Sequence, residues 1–487
     1  MRTWLTRGII VVALSLASGV LVWGGAASHG QTLLPPVPNP DDRDVFDLDL
    51  AGTIALSQRL NFEVVGHSYL RGPWLVPGAR GAGINTPRVH NGIAYLGGYN
   101  GPPTMFGTLI VDVHDPQNMQ PLAFLPANPG TRTAYVRLNA DRNLLVVGYD
   151  TNAANPDQPP PGEQARGGLA FFDVSDPSHP VELGQYNNGK GVTHGFEIDD
   201  RYAYACASSE ASKDPADRNL GLAIVDYADP ASPRLVSTYH IVGTNVGETP
   251  AFMDDLNPDG TPQVNWCHEV NKDGDRLYVA WRDAGFLILD VSDPANPQLV
   301  GRWDYVPPYN GGRLGAAHTA APVPHPGAAL PSLLVLTDEI FECPPGFGRV
   351  VDISTPTNPV VLSTFAIEGM HDAYDSASGR FTCPRGQQSI HQPYFDPRSP
   401  GSLFYQAWYD QGLRAMDISN PYQPREVGYY LSPDYSVLPS YPGRHTREVF
   451  VDPDTNLLYV TDGNGGGLTV LRYTGPIPAA PPIPGAR

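Results

Sequence analysis

The chain has 487 residues, a formal net charge of −19, 51 glycines, 52 prolines and four cysteines. So acidic a surface repels phosphate backbones and anionic lipid, which argues against nucleic acid as a partner. Four cysteines are too few for a disulfide scaffold, and the chain is long enough to bury a sizeable core without one.

Arg2 and Arg7 precede an apolar run from Gly8 to Trp23, and Ala26-Ala27-Ser28 places small residues where a signal peptidase reads them. Residues 1–28 are expected to be a signal peptide, making the mature protein secreted or periplasmic with no membrane span; an uncleaved anchor is the rival. No Cys lies near Ser28, so a lipid anchor is not expected. Residues 29–60, with the Pro-rich stretch Pro35 to Pro40, read as an N-terminal extension or linker.

From residue 61 to 475 the chain is repetitive. A phrase of one form recurs at Leu109–Pro116 (LIVDVHDP), Ala170–Pro177 (AFFDVSDP), Ala223–Pro230 (AIVDYADP), Leu287–Pro294 (LILDVSDP), Val350–Pro356 (VVDISTP) and Arg414–Pro421 (RAMDISNP). Its aspartates, Asp112, Asp173, Asp226, Asp290, Asp352 and Asp417, recur about every sixty residues, a period that suits a four-stranded blade. In the clearest copy, turn residues separate strands at Cys267–Asn271, Arg276–Trp281, Gly285–Val291 and Gln298–Tyr305. Second strands recur seven times, at Ile93–Gly98, Leu144–Gly148, Tyr202–Ala207, Leu277–Trp281, Leu333–Thr337, Leu403–Ala407 and Leu457–Thr461. The seventh copy ends at Gly467–Tyr473 without a fourth strand, whereas Phe62–Leu70 (FEVVGHSYL) resembles a fourth strand with no blade. The expectation is an all-β, seven-bladed β-propeller of four-stranded antiparallel blades, closed by an N-terminal strand that completes the last blade. Residues 476–487 form a Pro-rich tail.

The phrases LILDVSDPANPQLVG and GLAFFDVSDPSHPVELG resemble the LVIVD repeat of secreted bacterial and archaeal propellers, over most of the stretch from Phe62 to about Tyr473. The resemblance implies an extracytoplasmic propeller; its motif encodes strands and a turn, and is nearly silent on activity.

In such a disc the connections between second and third strands, and between blades, share one face. The long insertions gather there, including Asp150–Gly167, Ser208–Leu220, Val242–Asn265 and Glu368–Ser389, and mark it as the functional face. On that side five consecutive blades begin their innermost strand with a histidine: His194, His268, His318, His391 and His445, with Tyr135 in the same slot one blade earlier. Five imidazoles entering one channel at one level are candidate ligands of a transition metal ion, copper or iron before zinc, with Tyr135 as a ligand or proton donor. Water-bonded channel histidines with no ligand role are the plainer alternative. Acids at the ends of second strands, Asp150, Glu210, Asp283, Asp338, Asp410 and Asp462, could orient those imidazoles, but read first as turn residues. Glu269, next to His268, is expected to point away from it. Trp281 and Trp408 read as core.

The layout is similar to that of histidine-lined propeller enzymes, such as carotenoid cleavage oxygenases with their four-histidine iron centre, or the selenium-binding/methanethiol oxidase family with its copper site. The functional expectation is a monomeric, metal-dependent oxidoreductase acting on a small molecule; the alternative is a non-enzymatic platform that binds protein or polysaccharide on the same face. For disulfides, Cys343 and Cys383, both in irregular Pro/Gly segments, are the preferred pair, while Cys206 and Cys267, in neighbouring repeats, read equally as a bridge or as two buried side chains.

Overall fold

The computed structural model describes residues 48–479 except 78, 80, 100–104, 152–153, 164, 188–193, 208–220, 243–265, 306–316, 328–329, 342–344, 368–372, 376–379, 383–388 and 434–443. Seven antiparallel sheets of the expected kind form the ring of blades. Their innermost strands are Ile84–His90, Thr131–Asn139, Phe196–Ile198, Glu269–Asp273, Ala317–Pro322, Pro393–Phe395 and Thr446–Val451. The second strands start within a residue of expectation throughout, for example Ile93–Gly98, Arg276–Ala280 and Leu403–Ala407. Second and third strands are buried on both faces, because each blade is covered by a neighbour on either side, and this is why they read as continuous apolar runs. Trp281 and Trp408 are fully buried in these inter-blade layers.

Closure is made by the N-terminal strand. Phe62–Ser68 pairs antiparallel with Gly467–Tyr473, from Phe62 opposite Tyr473 to Ser68 opposite Leu468, and supplies the fourth strand of the last blade. Just before it, Asp49 caps a short helix, Leu50–Leu56, by accepting from the Gly52 amide at 2.7 Å. Gln58–Leu60 then adds a fifth strand to the sixth blade by pairing with its outer strand, Arg425–Leu431.

The repeated phrase has a clear physical job. In all six copies the aspartate accepts from the backbone N–H two residues on: His114, Ser175, Ala228, Ser292, Ser354 and Ser419. These Asx turns carry the chain from third to fourth strand. The proline that ends the phrase offers its carbonyl to the preceding blade. Ser237 and Ser363, on fourth strands, donate to the carbonyls of Pro294 and Pro421 at 2.6 Å. Gly66, Gly184 and Gly301 stand in the corresponding place, each so close to the carbonyl of Pro116, Pro230 or Pro356 that a Cβ would strike it.

A disulfide joins Cys206, at the end of a second strand, to Cys267, at the start of the next blade's inner strand, with Cα atoms 5.1 Å apart. The bridge thus falls on the pair from neighbouring repeats; Cys343 and Cys383 lie outside the described residues, as do the leader, Glu210 and the end of the tail. Among the described residues no helix is long and apolar enough to cross a membrane.

Gly301→Val should lower the unfolding free energy by about 2–4 kcal/mol, because the clash is with backbone and neither blade can move alone; thermal unfolding checks this, and an unchanged Tm would refute the docking role. Replacing Cys206 and Cys267 together by Ala opens a loop with a sequence separation of 61 residues, with an expected loss of about 4 kcal/mol in denaturant titrations under oxidising conditions.

Candidate metal centre in the channel mouth

The inner-strand histidines form an arc of touching rings. Centroid separations are 5.0 Å from Tyr135 to His194, 4.5 Å from His194 to His268, 4.3 Å from His268 to His318 and 4.0 Å from His318 to His391. Tyr409 interrupts the arc between His391 and His445, at 5.0 and 4.5 Å, and Tyr99 follows His445 at 5.6 Å. The arc is set by the blade register: His194, His268 and His391 each donate their backbone N–H to the second strand of their own blade, at the carbonyls of Cys206, Ala280 and Ala407.

Hydrogen bonds define which nitrogen of each ring is available. His268 Nδ1 lies 3.2 Å from its only described acceptor, the His318 carbonyl, and His391 Nδ1 lies 2.6 Å from the Arg447 carbonyl. A carbonyl can only accept, so both rings carry the proton on Nδ1 and present the Nε2 lone pair. His318 Nδ1 is 2.7 Å from Thr319 Oγ1, whose own proton goes to Gln392 Oε1 at 2.7 Å, which assigns His318 the same tautomer. His194 Nδ1 meets the Asp150 carboxylate at 3.3 Å, and its Nε2 lies 3.4 Å from the Tyr135 hydroxyl. Fixing Nδ1–H on an acceptor is how metal-binding histidines are oriented. His391 Nε2 and His445 Nδ1 are buried with no hydrogen-bond partner.

One further residue completes a compact donor set. Glu339 Oε2 stands 3.9 Å from His268 Nε2 and 4.0 Å from His318 Nε2, and one ligand atom from each of the three residues lies within 4.8 Å of the others. Among the described residues this is the one group of three with such spacing. His194, His391 and His445 belong to the same arc but not to that cluster. Arg282 Nη1 donates to Glu339 Oε2 at 2.9 Å from the preceding blade, and the Tyr409 hydroxyl donates to Oε1 from the following one. At this strand end the acid in register with Asp150, Asp283 and the other strand-end acids is Asp338. The strand runs through Asp338, so that side chain turns into the blade onto Arg349 and Tyr305, and its successor Glu339 faces the channel. Tyr409 and Arg282 occupy the equivalent positions after the second strands of their blades, beside Asp410 and Asp283. Asp150 does hold an imidazole; Asp462 instead accepts from the backbone of His445, Asn464 and Gly466.

Below the arc, one step along the strands, the channel is filled by a polar floor. Gln392 Nε2 donates to Glu269 Oε1 at 3.5 Å, and Glu269 faces Arg137 at 3.6 Å, which in turn meets Glu197 at 3.1 Å. Glu269 turns from His268 into this floor. Its Oε2 is packed against Gly195, a position where any side chain would collide with it.

Burial pushes the imidazoles of His268, His391 and His445 well below the ordinary histidine value and that of His318 to about 3, so all four are neutral donors at neutral pH. Burial opposes ionisation of Glu339, but the Arg282 and Arg447 guanidiniums and the Tyr409 hydroxyl hold its carboxyl below the usual range. Burial raises the phenols of Tyr135 and Tyr409 well above theirs, and the Glu269 carboxyl to about 8.

The fold and site together define a β-propeller whose channel mouth gathers imidazoles around one carboxylate. The LVIVD repeat model matches residues 165–188, 216–241, 269–305 and 401–432, so the chain carries LVIVD repeats within its seven-bladed propeller. No curated protein matches it. Similar solved structures include Sqt1 of Saccharomyces cerevisiae, at 9% identity and a TM-score of 0.48, covering 80% of this chain and 95% of that one. A chain of a mitotic checkpoint complex gives 11% identity and 0.47, covering 96% and 99%, and the computationally designed Ika8 protein gives 10% and 0.43, covering 81% and 98%. At such values none of them bears on function.

The buried neutral imidazoles carry a pH prediction. In the unfolded chain they protonate near pH 6.5; in the folded protein they resist protonation down to about 3 for His318. The unfolded state therefore binds more protons below pH 6.5, and stability falls as pH drops, by up to about 1.4 kcal/mol per pH unit per group. Glu269, raised to about 8, works in the opposite sense between 4.5 and 8, one group against four. Denaturant midpoints should fall from pH 7 to pH 5, and fall less steeply in His391→Asn.

Proposed function

We propose that the channel mouth binds a transition metal ion on His268, His318 and Glu339, and that the protein is an exported, metal-dependent oxidoreductase acting on a small molecule admitted from the long-loop face. The carrying observation is the pair of buried Nε2 lone pairs, fixed by Nδ1 hydrogen bonds, facing one buried carboxylate. Their 3.9–4.0 Å separations from Glu339 exceed those around a bound ion by less than about 1 Å. Two imidazoles and a carboxylate leave coordination positions open, as redox and Lewis-acid chemistry need, and the carboxylate moves the preference from copper toward iron. His194, held between Asp150 and Tyr135, and His391, with its unpartnered Nε2, flank the cluster as further donors. Tyr135, whose hydroxyl lies 3.4 Å from His194 Nε2, is the residue we assign as proton donor to a bound reactant. Export is supported by the Cys206–Cys267 disulfide, which persists in an oxidising compartment.

The test is metal content. Protein produced with iron(II), copper or zinc should retain about one ion per chain by elemental analysis, and His268→Ala with His318→Ala should abolish retention while leaving the circular dichroism unchanged. Glu339→Gln should weaken it by at least about tenfold to a hundredfold, the loss caused by removing even a hydrogen-bond partner of a ligand. Retention of no ion by the wild type, from any of the three metals, would leave a non-enzymatic binding platform as the surviving reading.

A further inference from the structure

The inner strands bring four arginines to the channel, and three of them face a carboxylate. Arg88 lies 3.9 Å from Glu448, Arg132 lies 2.6 Å from Asp150 and Arg137 lies 3.1 Å from Glu197. Arg447 is different. Its Nε donates to Asn85 Oδ1 at 2.8 Å and its Nη1 to the Tyr409 hydroxyl at 2.7 Å, both uncharged partners. The rings of Tyr99 and Tyr409 flank its guanidinium at 4.0 and 5.1 Å, and the residue is 6% exposed. A buried cation with only neutral hydrogen-bond partners is costly unless an anion lies close by.

The carboxylate that acts on it is Glu339, reached through Tyr409 and already engaged by Arg282. A divalent ion on Glu339 would draw on the same single negative charge and leave the layer still more positive. We infer that the site takes a small monocarboxylate as its substrate, one oxygen filling an open metal position and the other meeting Arg447. This rests on the metal reading above. With Nε and Nη1 engaged by Asn85 and Tyr409, the contact would be a single charge-assisted hydrogen bond from Nη2, the strong kind of hydrogen bond. The acidic exterior, with a chain charge of −19, selects against polyanions, so the positive well favours a small singly charged molecule.

The test uses full-length mature protein loaded with cobalt(II), whose visible bands report on added ligands, and acetate as the probe, with neutral imidazole as the control. Arg447→Gln should weaken acetate binding by about tenfold to a hundredfold, the range of a hydrogen bond to a charged group, and leave imidazole binding unchanged. Arg447→Lys keeps the charge without the fixed direction of the guanidinium N–H groups, so it should retain the fold and weaken acetate by a smaller factor. Acetate affinity equal to wild type in either folded variant overturns the inference while the metal reading stands. Failure of the wild type to bind cobalt, iron, copper or zinc overturns both.

Discussion

The pairing of Phe62–Ser68 with Gly467–Tyr473 is the joint on which the channel depends. A blade in this fold is covered on both faces only if it has two neighbours, so the seventh must meet the first, and it can do so in register only when its outer strand is in place. The channel mouth is continuous across that joint. Arg447 of the last blade bonds to Asn85 of the first at 2.8 Å, and Thr461 Oγ1 donates to the Asn85 carbonyl at 2.7 Å. Gly463 belongs to the same seam, where a side chain would collide with His445 and Tyr99.

The two faces of the disc divide the work. On one, the Asp-Pro turns hold blade to blade through short, local hydrogen bonds and the prolyl carbonyls. Those turns need a fixed sequence because their geometry is fixed, and they leave little room for variation. On the other face, the connections are long, and the inner strands begin with side chains that point over the channel rather than into a blade. The scaffold's repetition therefore marks the turns and blade-to-blade contacts, on the face opposite the histidine arc.

This also explains what could and could not be read from the chain. Blade number, strand starts and the closing strand were legible because a turn signal recurs and apolar runs fill the gaps. The histidines were legible because the register places them at one level. Glu339 was not, because a one-residue difference in where a strand ends exchanges the two faces, and Asp338 was the acid that aligned with its neighbours. The Cys206–Cys267 bridge was open for a related reason: proximity across a blade boundary depends on how far each strand runs.

Arg282 and Tyr409 were hidden for a different reason. Both have left-handed backbone, with φ of 42° and 22°, which residues with a Cβ adopt only under constraint. The constraint is visible: each carbonyl accepts from the next blade's inner strand, Arg282 from the Ala317 amide at 3.0 Å and Tyr409 from the Thr446 amide at 2.9 Å. Those bonds hold the two strained residues in place, and the strained backbone turns their side chains over the histidines onto the same carboxylate. Two residues of opposite sequence context, strained alike on either side of Glu339, make the site a feature assembled by the ring rather than by any one blade. Strain of this kind persists where the surrounding structure over-determines it, and here the surroundings are three consecutive blades converging on Glu339.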